Sequence, residues 1–114
     1  ASECSEGMGS TEYVEAQRRL VASGPDRFLN EILAKSHADI DEWQTQKQLQ
    51  PMSIGNVHLF SDRLSAEDYP LTGVHVTTSI KDSIERSLKR HPGGSVAVIP
   101  EGPYVVPFYR EAVA

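Results

Sequence analysis

The sequence has 114 residues, 39% of them apolar and 24% charged, with 8 Gly and 7 Pro. That profile suits a single globular domain with one core and excludes collagen-like, low-complexity and disordered chains. A net charge of −5 speaks against nucleic acid or an anionic membrane surface as the main partner. The single cysteine, Cys4, permits no disulfide within the chain and fits a reducing, cytoplasmic setting. No apolar run approaches the length of a membrane span, and the first residues lack the order of a secretory signal.

The opening Ala1-Ser2-Glu3-Cys4 is abrupt, so the polypeptide is expected to continue upstream, with a strand at the extreme N-terminus cut short. Ser10 or Thr11 then caps a helix over residues 12–21 that ends near Gly24. Pro25 suits the first turn of a second helix, residues 26–35, with Phe28, Leu29, Ile32 and Leu33 at helical spacing. A third helix begins near Asp39, where Asp39 and Glu42 have capping-box spacing, and Pro51 stops it.

Beyond Pro51 the pattern changes. Residues 57–60 read as a short buried strand, 65–68 as one turn of helix, and 74–78 as a second strand rich in β-branched residues. Ser79 opens an amphipathic helix with Ile80, Ile84 and Leu88 on one face, and Pro92-Gly93-Gly94 ends it. Residues 95–100 read as a third strand, followed by a proline-bounded extended tail over 102–108. Strands separated by helices imply right-handed crossovers. The expected fold class is therefore α/β: a three-layer, Rossmann-like domain over residues 1–114, with a mainly parallel sheet and flanking helices.

The residues that could carry chemistry are few. His37, His58, His75 and His91 are scattered, and none has the spacing of a zinc site, so no metal is expected. His58 and His75 alternate with apolar residues in strands, which suits a structural or surface role. Lys89-Arg90-His91 closes a helix and suits capping of its dipole. Cys4 has no histidine nearby in sequence to activate it as the nucleophile of an independent hydrolase. Gly7, Gly9 and Ser10 form a glycine turn leading into a helix, which reads either as an anion cradle or as a plain turn. It is neither a dinucleotide-binding fingerprint nor a P-loop. In residues 41–47, Gln44 and Lys47 are neighbours on one helix face with Trp43 within a turn of Lys47. An amide and an ammonium together grip a carboxylate or carbonyl oxygen. The alternative is a solvated face with Trp43 buried beside Ile40.

Three segments together resemble the lactate racemase family that uses a nickel-pincer nucleotide: residues 2–10 (SECSEGMGS), 41–47 (DEWQTQK) and 96–103 (VAVIPEGP). Their order matches that family's C-terminal domain across nearly the whole chain. The resemblance implies a lid domain that closes over a cleft and contributes an aromatic-Gln-x-x-Lys pattern, here Trp43, Gln44 and Lys47. Tryptophan stands where a tyrosine occurs in the best-known racemase, which leaves the choice of 2-hydroxy acid open. It further implies that the cofactor and the catalytic histidines belong to an N-terminal domain of the same polypeptide. This chain alone would then have no catalytic residue and no activity. A competing reading is a non-catalytic domain that serves assembly or binds a small anion at Gly7-Met8-Gly9.

Overall fold

Among residues 2–111, which the computed structural model describes, four α-helices and two three-residue strands form in chain order. Helix α1, Thr11–Ser23, starts where the Ser10 side chain accepts a hydrogen bond from the Tyr13 amide at 3.1 Å. That bond satisfies one of the orphan donors of the first turn. Gly24, at φ 83°, ends α1, and Pro25 opens α2, Pro25–Leu33, at the position where a missing N–H costs nothing. Helix α3 spans Glu42–Ile54.

The core lies among these three helices. Ala16 and Leu20 of α1, Phe28 of α2 and Leu49 of α3 are buried together, with Leu29 and Ile32 packed against them. Each large side chain removed from water here contributes about 1.5–3 kcal/mol. A polar staple fixes the next segment, a 3-10 helix over Ala66–Thr72. The fully buried Gln17 donates to the carbonyls of Leu71 and Thr72 at 3.1 and 3.2 Å, and Gln48 donates to Thr72 at 2.7 Å. Gly73 closes that segment at φ 68°, where an added Cβ would lie 3.1 Å from Gln48 Nε2 and 3.4 Å from Leu20 Cδ2. Glycine suits both the left-handed backbone and the space, since any side chain would be strained there and would press on Gln48 and Leu20.

Strands β1, His58–Phe60, and β2, His75–Thr77, pair in parallel, with His58 opposite His75 and Phe60 opposite Thr77. Helix α4, Ile80–Arg90, follows from Ser79, whose side chain caps the Asp82 amide at 3.1 Å.

The expected three-layer, Rossmann-like α/β sandwich is not formed. The molecule is mostly helical, with a two-stranded sheet. Residues 95–100, expected as a third strand, stay irregular and exposed, Val96 and Ile99 at 50% and Val98 at 83%. A run of β-branched residues marks a segment that fits a strand, but a strand exists only when its backbone finds a partner. After α4 the chain turns at Gly93 and Gly94 without reaching either edge of the sheet. The radius of gyration, 16.3 Å, exceeds the roughly 13 Å of a compact chain of this length, as an unpacked tail requires. The strand expected at the extreme N-terminus begins at residue 1, outside the described residues. From Ser2 onward no strand forms there, although the Ser2 amide donates to the Phe60 carbonyl at 2.9 Å.

Helix α3 also departs from expectation at both ends. Asp39 and Glu42 do not form a capping box. The N-cap is Asp41, in the left-handed region at φ 59°, and the helix runs through Pro51 to Ile54. Proline at position 51 removes only the donor that would have met the Lys47 carbonyl, and the last turn closes through the Gly55 amide on the Pro51 carbonyl at 3.1 Å.

Candidate functional site

The glycine turn and the first turn of α3 are 31 residues apart in sequence and meet through one carboxylate. Ser10 Oγ donates to Asp41 Oδ2 at 2.6 Å while it caps α1. Asp41 Oδ1 accepts from Gln44 Nε2 at 3.1 Å. Asp41 therefore ties the start of α1 to the start of α3, and these two bonds offset the cost of its left-handed backbone, about 1–2 kcal/mol. Nothing in the sequence pattern singled out Asp41. Its role depends on a contact that local periodicity does not encode.

Gln44 and Trp43 are exposed on the first turn of α3, Trp43 at 59% and the neighbouring Ile40 at 71%. Burial of Trp43 beside Ile40 does not occur. Lys47 is exposed one turn further on, and its ammonium makes no salt bridge among the described residues. It lines an open groove of about 520 Å³ between α2 and α3, with Pro25, Asp26, Leu29 and Gln50 among its neighbours. Gln44 and Trp43 lie outside that groove. The three residues thus share the outer surface of one helix without enclosing a common pocket.

Beneath that surface lies an ion cluster. Glu42, 1% exposed, accepts from Arg19 of α1 and, at 2.8 Å, from Lys35 Nζ. Lys35 also reaches Asp39 at 2.5 Å. Burial pushes the Glu42 carboxyl upward, but the hydrogen bonds from Arg19 and Lys35 outweigh it and hold the group below its ordinary value. Its second oxygen is buried without a partner. The cluster ties the start of α3, the helix that carries Gln44 and Lys47, to α1 and to Lys35.

In the glycine turn, Gly7 and Gly9 have φ 64° and 91°. Their amides donate to the Cys4 and Glu6 carbonyls at 3.0 and 3.4 Å, so both are engaged in closing the turn. Ser10 is occupied by the cap and by Asp41, and an anion placed there would face the Asp41 carboxylate. Among the described residues no three His, Cys, Asp or Glu side chains are grouped closely enough to hold a metal ion, and no helix is long and apolar enough to cross a membrane. No protein-family profile, curated protein or solved structure matches the chain.

Proposed function

We propose that this chain is the lid and substrate-orienting C-terminal domain of a cytoplasmic lactate racemase-like 2-hydroxy acid racemase or epimerase. In this reading it acts with an N-terminal catalytic domain of the same polypeptide that holds a nickel-pincer nucleotide. The observation that carries the reading is the outward display of Trp43, Gln44 and Lys47, which makes no salt bridge among the described residues, on a helix held from beneath by Asp41 and Glu42. An assembly domain would more naturally bury its tryptophan and pair its lysine.

The groups on this surface are an ammonium, an amide and an indole face. They suit a carboxylate and a carbonyl oxygen, not a soft metal centre. The nickel-pincer nucleotide, when bound, supplies hydride chemistry at the carbon bearing the hydroxyl. Lys47 would hold the substrate carboxylate, Gln44 would meet a neighbouring oxygen, and Trp43 would exclude water as the domains close.

Activity of the longer polypeptide tests this. Lys47→Ala removes a charge-assisted hydrogen bond and should lower kcat/KM by roughly 10- to 150-fold, while Gln44→Ala should cost less. Lys81→Ala, on an exposed face of α4, should leave activity and thermal stability unchanged. Wild-type turnover by Lys47→Ala on the best 2-hydroxy acid would remove the reading in favour of an assembly domain.

A further inference from the structure

A second concentration of polar groups lies at the opposite end of the sheet. The glycine-turn segment reaches the far end of β1, through Ser2 on Phe60 and through Ser61 Oγ on the Glu3 carbonyl at 2.9 Å. His58 and His75 instead open the two strands. Their register places them side by side, with ring centroids 5.2 Å apart. Together with Asn56 and the Arg86, Lys89 and Arg90 side chains of α4 they line an open cavity of about 450 Å³. In a chain of net charge −5, no carboxylate among the described residues lines it.

The cations are uncommitted. Arg86, Lys89 and Arg90 make no ion pair among the described residues, and Arg86 uses only its Nε, on the Asp82 carbonyl at 3.3 Å. Lys89 and Arg90 sit in the last turn of α4, where capping of the helix dipole would explain them. Capping does not explain Arg86 a turn earlier, nor two histidines contributed by the strands. In addition, Nδ1 of His58 is shut off from solvent without a hydrogen-bond partner, so the imidazole that borders the cavity has unused hydrogen-bonding capacity.

We propose that this cavity binds a phosphate group, free or carried on a small ester. Tetrahedral oxyanions are recognised by convergent guanidinium, ammonium and imidazolium donors, and their charge compensates cations that otherwise repel one another. The site is separate from the α3 surface, and the inference does not rest on the racemase reading. The state of His58 provides an internal reporter. Burial, and then the charges of His75, Arg86 and Arg90, push its imidazole below the ordinary range. A bound dianion would offset the charges of Arg86 and Arg90 and raise it.

The test is an NMR titration of the imidazole resonances of the 114-residue chain with inorganic phosphate. Parallel arms use glycerol phosphate and, at matched ionic strength, sodium chloride. Saturable shifts at His58 and His75, with an upward move of the His58 titration midpoint and no response to chloride, are the expected result. Tighter binding of glycerol phosphate than of inorganic phosphate would identify the ester as the better source, and the reverse would identify the free ion. Arg86→Gln with Arg90→Gln should weaken phosphate binding by at least about tenfold, the loss expected when charge-assisted hydrogen bonds are removed. Both residues are exposed, and circular dichroism would verify that the fold is kept. Shifts that chloride reproduces, or an affinity unchanged in the double variant, would overturn the proposal.

Discussion

Helices α3 and α4 invert what their sequences suggest. Helix α4 has the cleaner apolar stripe, Ile80, Ile84 and Leu88, a serine N-cap, and Lys89 and Arg90 placed to complement its dipole. Yet none of its residues is buried, and the stripe stays 37–45% exposed. Helix α3 has a poor stripe, a left-handed N-cap and an internal proline, yet it buries Glu42, Thr45 and Leu49. The difference teaches that amphipathicity states which face of a helix wants cover, whereas the rest of the chain decides whether cover is supplied. Helix α3 lies against α1 and its ion cluster. Helix α4 rests beside a two-stranded sheet, with the Ser83 hydroxyl on Thr77 at 3.0 Å among its ties.

The comparison breaks most sharply at Phe28. Phe28→Ala should destabilise the chain by about 3–5 kcal/mol, because it empties the centre of the helical core. Val98→Ala in the tail should change stability by less than about 0.5 kcal/mol, since that side chain is 83% exposed. Denaturant unfolding of the two variants measures the contrast, and a comparable loss in both would mean that the tail is covered in solution.

A smaller effect is expected at the ion cluster. Glu42→Gln leaves Arg19 and Lys35 without their shared carboxylate and should cost about 3 kcal/mol, the low end for a buried pair because both cations reach solvent. The same group gives a pH signature. Its folded value lies below the ordinary 4.5, so its contribution is present above that pH and is lost as the pH falls through the lowered value. Acid unfolding should therefore be steeper in the native chain than in Glu42→Gln, as fluorescence-monitored titration would reveal.

A smaller loss again sharpens the picture of α4. Ser79→Ala removes its N-cap and should cost about 1 kcal/mol of helix stability. Because α4 buries no residue, the loss should appear as faster amide exchange within residues 80–90 and leave exchange in α1 unchanged. Equal loss of protection in both helices would show that they unfold as one unit.

The placing of Gln44 and Lys47 on one helix was legible, and what holds that helix was not. Gln44 and Lys47 follow from helical spacing, and their exposure agrees with a polar face. Asp41 and Glu42 were not readable in their observed roles. Glu42 looked like half of a capping box, but two cations from elsewhere in the chain draw its carboxylate inward. His58 and His75 looked like isolated residues because their proximity is created by strand register, across 17 positions of sequence.

By itself the sequence determined where α1, α2 and α4 begin, through Ser10, Pro25 and Ser79, and where the two strands lie, because caps and β-branched runs act within a few residues. Only the tertiary structure decided which of those elements became buried, that residues 95–100 form no strand pairing among the described residues, that position 73 is crowded by Gln48 and Leu20, and that Gln17 staples a segment 55 residues away. The physical reason is range. A cap or a stripe is satisfied by neighbours within about a turn, whereas burial and strand pairing depend on surfaces brought together by chain closure, which no local pattern records.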